Sequence, residues 1–241
     1  MKKDAAPVAQ DRIVRRKLSD EVFDRLRAMM ASGELPPGAP MPSERDLMER
    51  FGVGRPAVRE ALQHMHTMGL ITISHGERSR VNELSADSVL SRVDDVARML
   101  LSSEPEQLEH LKMARRMFEC GLVRVAAEKA TAKDIADLRD LVSRQRDQLG
   151  DASAFVTTDM AFHARIAAIS ENPILIATSQ SLLRWLFHYH GLLLHWSGNE
   201  DVTLREHDHI IDLLEAHDDE AAVAAMQAHL DRSNTLYRHH H

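Results

Sequence analysis

From Ser85 to the end of the chain no stretch alternates apolar and polar residues as a half-buried strand does. Apolar residues recur instead three and four positions apart. Such a pattern allows one kind of fold for the larger part of the molecule, a packed assembly of helices. Breaks at Ser102-Ser103, Thr131, Gly150, Asn172-Pro173, Ser197-Gly198-Asn199 and Asp218 divide it into predicted helices over 86–102, 105–130, 132–149, 151–170, 173–195, 203–217 and 219–237. Connections this short set neighbouring helices antiparallel. The expectation is an antiparallel all-α bundle of about six to seven helices, within a mainly α protein. An aromatic content of 4% argues against a β-sandwich. No internal repeat or low-complexity tract interrupts the pattern.

The first part of the chain reads differently. Residues 1–17 lack a period, end in Arg15-Arg16-Lys17, and are expected to form a flexible arm. A helix is predicted from Ser19 as N-cap, through Val22, Leu26, Met29 and Met30, to a stop at Ser32-Gly33. Leu35 to Pro40 is a loop or an extended connector. Ser43 caps a second helix, Glu44 to Arg50, and Phe51-Gly52-Val53-Gly54 is a tight turn. A third helix, with Pro56 in its first turn, runs to Met68 and stops at Gly69. Leu70 to Ser74 and Arg80-Val81 are extended segments around a His75-Gly76 turn, a small hairpin. Three short helices and a hairpin predict a winged helix-turn-helix. The expected domains are therefore 18–83 for DNA binding and 84–238 for an all-helical effector and dimerisation domain, with 239–241 a tag remnant.

Composition then excludes other classes. A single cysteine, Cys120, permits no internal disulfide and fits a reducing cytoplasm. The start of the chain has no apolar core of the kind a secretory leader carries. No apolar run approaches the roughly 20 residues of a membrane span. The net charge of −7 is unpromising for a nucleic-acid binder until it is divided. Residues 1–83 carry 14 Lys+Arg against 12 Asp+Glu, whereas residues 84–241 carry 16 against 25. The acidity belongs to the second domain, which leaves the first able to face phosphate.

A helix end in the major groove needs donors for guanine edges, with further cations for phosphate. Arg55 and Arg59, one turn apart at the start of the third helix, and Arg45 in the second, meet that need. His75-Gly76 at the wing tip is small enough to approach a minor groove. From composition alone the arginines read equally well as solvated surface.

Two constellations stand out in the helical domain. Asp159 and His163 lie one turn apart, and His207 and His229 fall near the middle of two later helices. One carboxylate and three imidazoles suit zinc, and nickel or manganese less selectively. Against this, 15 histidines make accidental spacings common, and His188, His190, His195, His209 and His217 are alternatives. Arg115 and Glu119, also one turn apart, read either as a simple ion pair or as a place where Arg115 meets an anionic ligand.

Pro42-Ser43-Glu44-Arg45-Asp46-Leu47, Phe51 to Leu62 and Gly69-Leu70-Ile71 resemble the N-terminal signature of the GntR family over Leu18 to Val81. The resemblance implies a homodimer on palindromic double-stranded operator DNA. It assigns Arg45, Arg55 and Arg59 to base and backbone contacts and places His75-Gly76 in the minor groove. The family usually has Ser or Thr where Gly54 stands, so only the backbone N–H of Gly54 remains as a contact. Residues 110–232 resemble the ligand-binding domain of the FadR branch, on Arg115 to Glu119, Ala126 to Thr131, Asp159 to His163, Glu206-His207 and Ala228 to Leu230. That likeness implies a divalent metal, usually zinc, on Asp159, His163, His207 and His229. It also implies an effector site at Arg115 and Glu119, with Arg115 pairing with an effector carboxylate. Gly76 to Val81, Ser85-Ala86-Asp87 and Phe118-Glu119 with Leu122-Val123-Arg124 are similar to repressors of sialic-acid catabolism, which implies a sugar-acid effector such as N-acetylneuraminate. The competing expectations are an architectural DNA binder without effector, and a metal-dependent enzyme joined to a DNA-binding module with Glu119 as its only candidate base.

Overall fold

The computed structural model describes residues 16–74, 78–103, 105–190 and 199–236, so His75, Gly76 and the predicted helical residues 191–195 lie outside the described residues. The chain divides into two compact units, Met1–Leu84 and Ser85–His241.

In the first unit α1 (Leu18–Ala31), α2 (Glu44–Phe51) and α3 (Arg55–Thr67) are followed by β1 (Ile71–Thr72) and β2 (Arg80–Val81). Ser43 caps α2 through a box with Asp46, which satisfies two otherwise unpaired N–H groups. Gly52, at φ 65°, makes the left-handed turn out of α2, a conformation that a Cβ would strain. Helix α3 buries Val58, Ala61, Leu62 and Met65 in one cluster with Val22, Leu26 and Met29 of α1. Each fully buried apolar side chain of this size contributes about 1.5–3 kcal/mol.

One expectation is corrected here. Ser19 is not the N-cap of α1. The Lys17 carbonyl already accepts from Asp20 N and Glu21 N, at 3.1 and 3.3 Å, so Lys17 is the cap and Ser19 turns into the buried face. The connector before α2 takes the extended one of its two expected forms. Gly38 N donates to Val81 O, Val81 N to Ala39 O and Met41 N to Ser79 O, at 2.9, 2.9 and 2.7 Å. The hairpin, in register Ile71↔Val81, thereby gains a third rung beside β2.

The second unit is helical throughout its described residues: α4 (Ala86–Leu90), a 3-10 turn (Ser91–Val93), α5 (Asp94–Ser103), α6 (Pro105–Lys129), α7 (Ala132–Asp147), α8 (Ala152–Ala168), α9 (Pro173–His190), α10 (Glu200–Glu215) and α11 (Asp219–Leu236). The single helix predicted over 86–102 is broken. Asp94 is buried and accepts from Arg184 Nε at 3.0 Å and Trp185 Nε1 at 2.7 Å on α9, a tertiary pull that helical periodicity cannot show. Elsewhere local chemistry sets the boundaries. Thr131 boxes with Asp134 at the start of α7, and Asp151 accepts from Ala154 N at the start of α8. At the α10–α11 turn His217 adopts φ 55° and sets Nδ1 2.6 Å from the Ala127 carbonyl, which binds that turn to α6.

The core of this unit joins Val123, Ala126 and Ala127 of α6 to Leu138, Phe155, Phe162, Ile166, Ile210, Ile211, Leu214, Met226 and Leu230. Among the described residues no helix is long and apolar enough to cross a membrane.

Candidate metal centre and nucleic-acid interface

The inward face of α6 carries Leu108, Leu111, Lys112, Arg115, Glu119, Leu122, Val123 and Ala126, all buried. Three of these are charged, which is costly in a core without partners. Glu119 meets one of the other two and a histidine from another helix: its Oε1 accepts from Arg115 Nε, and its Oε2 contacts Nδ1 of His163 on α8. Burial pushes the Glu119 carboxyl up, but Arg115 and His163 outweigh it and bring the group down to about 2.

His163 belongs to a cluster. One ligand atom each from Asp159, His163, His207 and His229 lies within 4.8 Å of every other. Helical spacing puts Asp159 and His163 on one face of α8, while His207 comes from the middle of α10 and His229 from α11. The Nε2 atoms of His163 and His229 are 3.4 Å apart, and His207 Nε2 is 3.5 Å from Asp159 Oδ1. That His207 nitrogen is buried and makes no hydrogen bond, the kind of orphaned atom that a bound cation satisfies.

The opposite ring nitrogens point to acceptors. His229 Nδ1 is 2.8 Å from Glu206 Oε2, and His207 Nδ1 is 3.1 Å from Gln145 Oε1. Phe162 stacks on His207 with ring centroids 3.9 Å apart and planes 14° apart, which fixes the tilt of that ring. Glu206 also takes Arg232 Nε at 2.7 Å. Burial raises its carboxyl, but the hydrogen bonds from His229 and Arg232 bring it down to about 2. Burial itself pushes His207 well below its ordinary value, with His229 and His163 adding to the effect. It lowers His229 too, against the opposing hydrogen bond to Glu206. Neutral imidazoles with inward lone pairs are the form that ligates a metal. The donor set therefore fits a divalent ion such as zinc.

Sequence reading named all four members of the cluster, but not the outer partners Glu206 and Gln145. Glu206 sits one residue before His207 and reaches instead to His229. No spacing rule announces that. Of the alternative histidines, His217 is spent on the Ala127 carbonyl and His209 is outside the cluster.

In the first unit α3 begins at Arg55, after Gly54 as N-cap in an extended conformation with no side-chain hydrogen bond. Arg45 is exposed and 3.1 Å from Glu49. Glu44 draws together the other two arginines, with Arg59 Nε at 2.9 Å and Arg55 Nε at 3.7 Å. A groove of about 670 Å³ runs between α3 and the hairpin, with Ser43, Glu44, Arg59, Gln63, Ile73 and Arg78 on its walls. Arg78, four positions past the last described residue of β1's side of the wing, was not singled out in the sequence because a wing arginine has no periodic signature.

The chain is similar to known proteins over most of its length. Residues 18–81 match the family described as bacterial regulatory proteins, gntR family, and residues 110–232 match the FCD domain. The HTH-type transcriptional repressor NanR of Cronobacter sakazakii is 38% identical over 91% of this chain and 85% of its own length. NanR of Klebsiella aerogenes is 38% identical over 94% of this chain and 87% of its own. A solved GntR structure from Streptococcus agalactiae has the same fold, with a TM-score of 0.68 at 22% identity, over 90% of this chain and 99% of that one. A DNA-binding winged helix joined to a helical sensor is thus the class to which the molecule conforms. The chain belongs to the GntR family of bacterial regulatory proteins, in the FadR subfamily that carries an FCD domain.

Proposed function

We propose that this chain is a cytoplasmic repressor that holds a palindromic operator as a homodimer and releases it when a sugar acid binds beside a divalent metal in the helical unit. N-acetylneuraminate is the first candidate effector, since the relatives at 38% identity are NanR repressors. The observation that carries the reading is the convergence of Asp159, His163, His207 and His229 within 4.8 Å, one carboxylate away from the buried Arg115.

Charge indicates what the site would attract. Arg115 offsets Glu119 and Arg232 offsets Glu206, so each outer pair is neutral. Asp159 contributes the one remaining negative charge among the residues that would hold a zinc, nickel or manganese ion. Such an ion would leave the centre one positive charge in excess and supply an electrophilic anchor for carboxylate or hydroxyl oxygens. Arg115, the cation nearest His163 along this network, is the residue for the effector carboxylate. Glu119 takes part through Arg115 and not as a separate contact, because both its oxygens are engaged. The same engagement, with a carboxyl near 2, argues against Glu119 as the base of a metal-dependent enzyme.

On the DNA side Arg45, Arg55, Arg59 and the backbone N–H of Gly54 are the proposed contacts, with His75-Gly76 at the wing tip. Self-association is supported by Val96, Met99 and Leu100 on α5 and Met113 and Met117 on α6, each more than half exposed. A coupling of about 1–3 kcal/mol between the two sites would change operator affinity roughly 5–150-fold.

Operator binding and melting temperature, followed with N-acetylneuraminate in zinc-loaded and chelated protein, test the reading. Metal-dependent stabilisation with loss of operator affinity, abolished in Arg115→Ala, is the expected result. Operator affinity unmoved by N-acetylneuraminate and by other sugar acids, in protein shown to hold zinc, would overturn the effector assignment.

A further inference from the structure

Gln145 lies on α7, which contributes no member of the histidine cluster, and yet it is completely buried. Its side chain touches two members at once. Oε1 is 3.1 Å from His207 Nδ1, and Nε2 donates to Asp159 Oδ1 at 3.3 Å and to the Phe155 carbonyl at 3.4 Å. Phe155 and Asp159 are one turn apart on α8, so the amide nitrogen bridges two acceptors stacked along one helix face.

This arrangement permits one orientation of the amide. Reversed, Oε1 would face a carboxylate oxygen and a backbone carbonyl, three acceptors without a proton among them. With Nε2 committed to those two, Oε1 must face His207, and an amide oxygen there demands a proton on Nδ1. A neutral imidazole protonated at Nδ1 has its lone pair at Nε2. That is the nitrogen directed into the cluster and lacking any hydrogen bond.

We propose that Gln145 is the positioning residue of this centre: it fixes His207 as the Nδ1–H tautomer and turns Asp159, so that Nε2 and the carboxylate face the same point. His163 and His229 are held by carboxylates, Glu119 and Glu206, whereas His207 is held by a neutral amide. Gln145 therefore orients its imidazole without adding charge, and it bridges the histidine of α10 to the aspartate of α8 through hydrogen bonds to both. The inference rests on the metal reading above for its consequence but not for its tautomer.

The experiment has two arms on the full-length chain. In metal-free wild-type protein, long-range ¹H–¹⁵N correlations of His207, assigned with a His207→Gln variant, report which nitrogen carries the proton. The Nδ1–H form is expected, and the Nε2–H form would overturn the proposal. Zinc affinity, measured by chelator competition, is expected to fall about 10–100-fold in Gln145→Leu. Helical circular dichroism establishes that the variant is folded. Gln145→Glu keeps an acceptor for His207 but loses the donor to Asp159 and Phe155. It should retain the His207 tautomer, bind zinc more weakly than wild type, and shift the visible spectrum of the cobalt-substituted centre. Zinc affinity within twofold of wild type in both variants would overturn the proposal. Wild-type protein that binds no zinc, with His207 still in the Nδ1–H form, would sink the metal reading and leave Gln145's positioning role standing.

Discussion

His229 on α11 and Glu206 on α10 face each other at 2.8 Å, so the last imidazole of the cluster is oriented by a carboxylate from a neighbouring helix. Arg232, one turn beyond His229, grips the same carboxylate through Nε at 2.7 Å and keeps it ionised. Outer partners of this kind typically account for 10–100-fold in metal affinity. Glu206→Gln keeps the side-chain shape but weakens the acceptor and takes from Arg232 its carboxylate partner. We expect zinc affinity to drop about tenfold or more by chelator competition, with the helical circular dichroism unchanged.

The link between α6 and α8 is more severe. Arg115 and Glu119 are both almost completely buried, and Glu119 also holds His163. Removing Glu119 takes from the buried Arg115 its carboxylate partner, a loss that reaches about 3–5 kcal/mol for buried pairs. Glu119→Ala should show that loss in urea unfolding performed with chelator, where metal contributes nothing. A loss below about 1 kcal/mol would mean that Arg115 is accommodated without Glu119.

Much of this was legible in the sequence because it is periodic. Helices α6 to α11 follow three- and four-residue spacing, and the cluster members Asp159 and His163 share a face by the same rule. The boundaries at Thr131 and Ser43 were legible because capping is local chemistry, whereas Asp151, expected as the first helical residue, is the cap itself. What escaped depends on contacts between distant segments. The helix expected over 86–102 tightens into a 3-10 turn just before Asp94, whose contacts with Arg184 and Trp185 no spacing shows. Gln145 is one of many glutamines until α7 lies against α8 and α10. Ser19 looks like a cap, and it is displaced because the Lys17 carbonyl starts the helix sooner.

Part of the acid sensitivity should lie at the α7–α8 contact. Arg165 meets both Asp134 and Asp137, the latter at 3.0 Å, and Asp134 also closes the cap of α7. Burial raises Asp134, but its hydrogen bonds with Thr131 and Arg165 bring it below the usual carboxylate range. Asp137 is lowered by its hydrogen bonds to Lys133 and Arg165. Carboxyls depressed in the folded state stabilise it above their unfolded value of about 3.9 and lose that contribution as pH falls through the folded value. Arg165→Ala should thus be less stable than wild type at pH 7, with the gap closing below about pH 4. Unfolding midpoints measured from pH 7 down to 3 check this, and a gap independent of pH would show that the loss is one of packing.

Gly54 offers the sharpest test at the DNA end. It caps α3 in extended backbone at φ −74°, a conformation open to any residue, and its side-chain position is empty of capping hydrogen bonds. A Cβ there would meet only Pro56 Cδ, at an ordinary 3.6 Å. Serine should therefore fit without strain and accept from an N–H of the first turn, for a few tenths of a kcal/mol over glycine. Its hydroxyl would also stand at the start of the helix that carries Arg55 and Arg59, where an extra phosphate contact forms readily. We expect Gly54→Ser to raise both melting temperature and operator affinity slightly, and Arg59→Ala to lower affinity and reduce the salt slope of log K by about one. Anisotropy titrations across a salt series read both effects. An Arg59→Ala slope equal to wild type would remove Arg59 from the phosphate contacts and leave Glu44 as its partner on DNA as in the free protein.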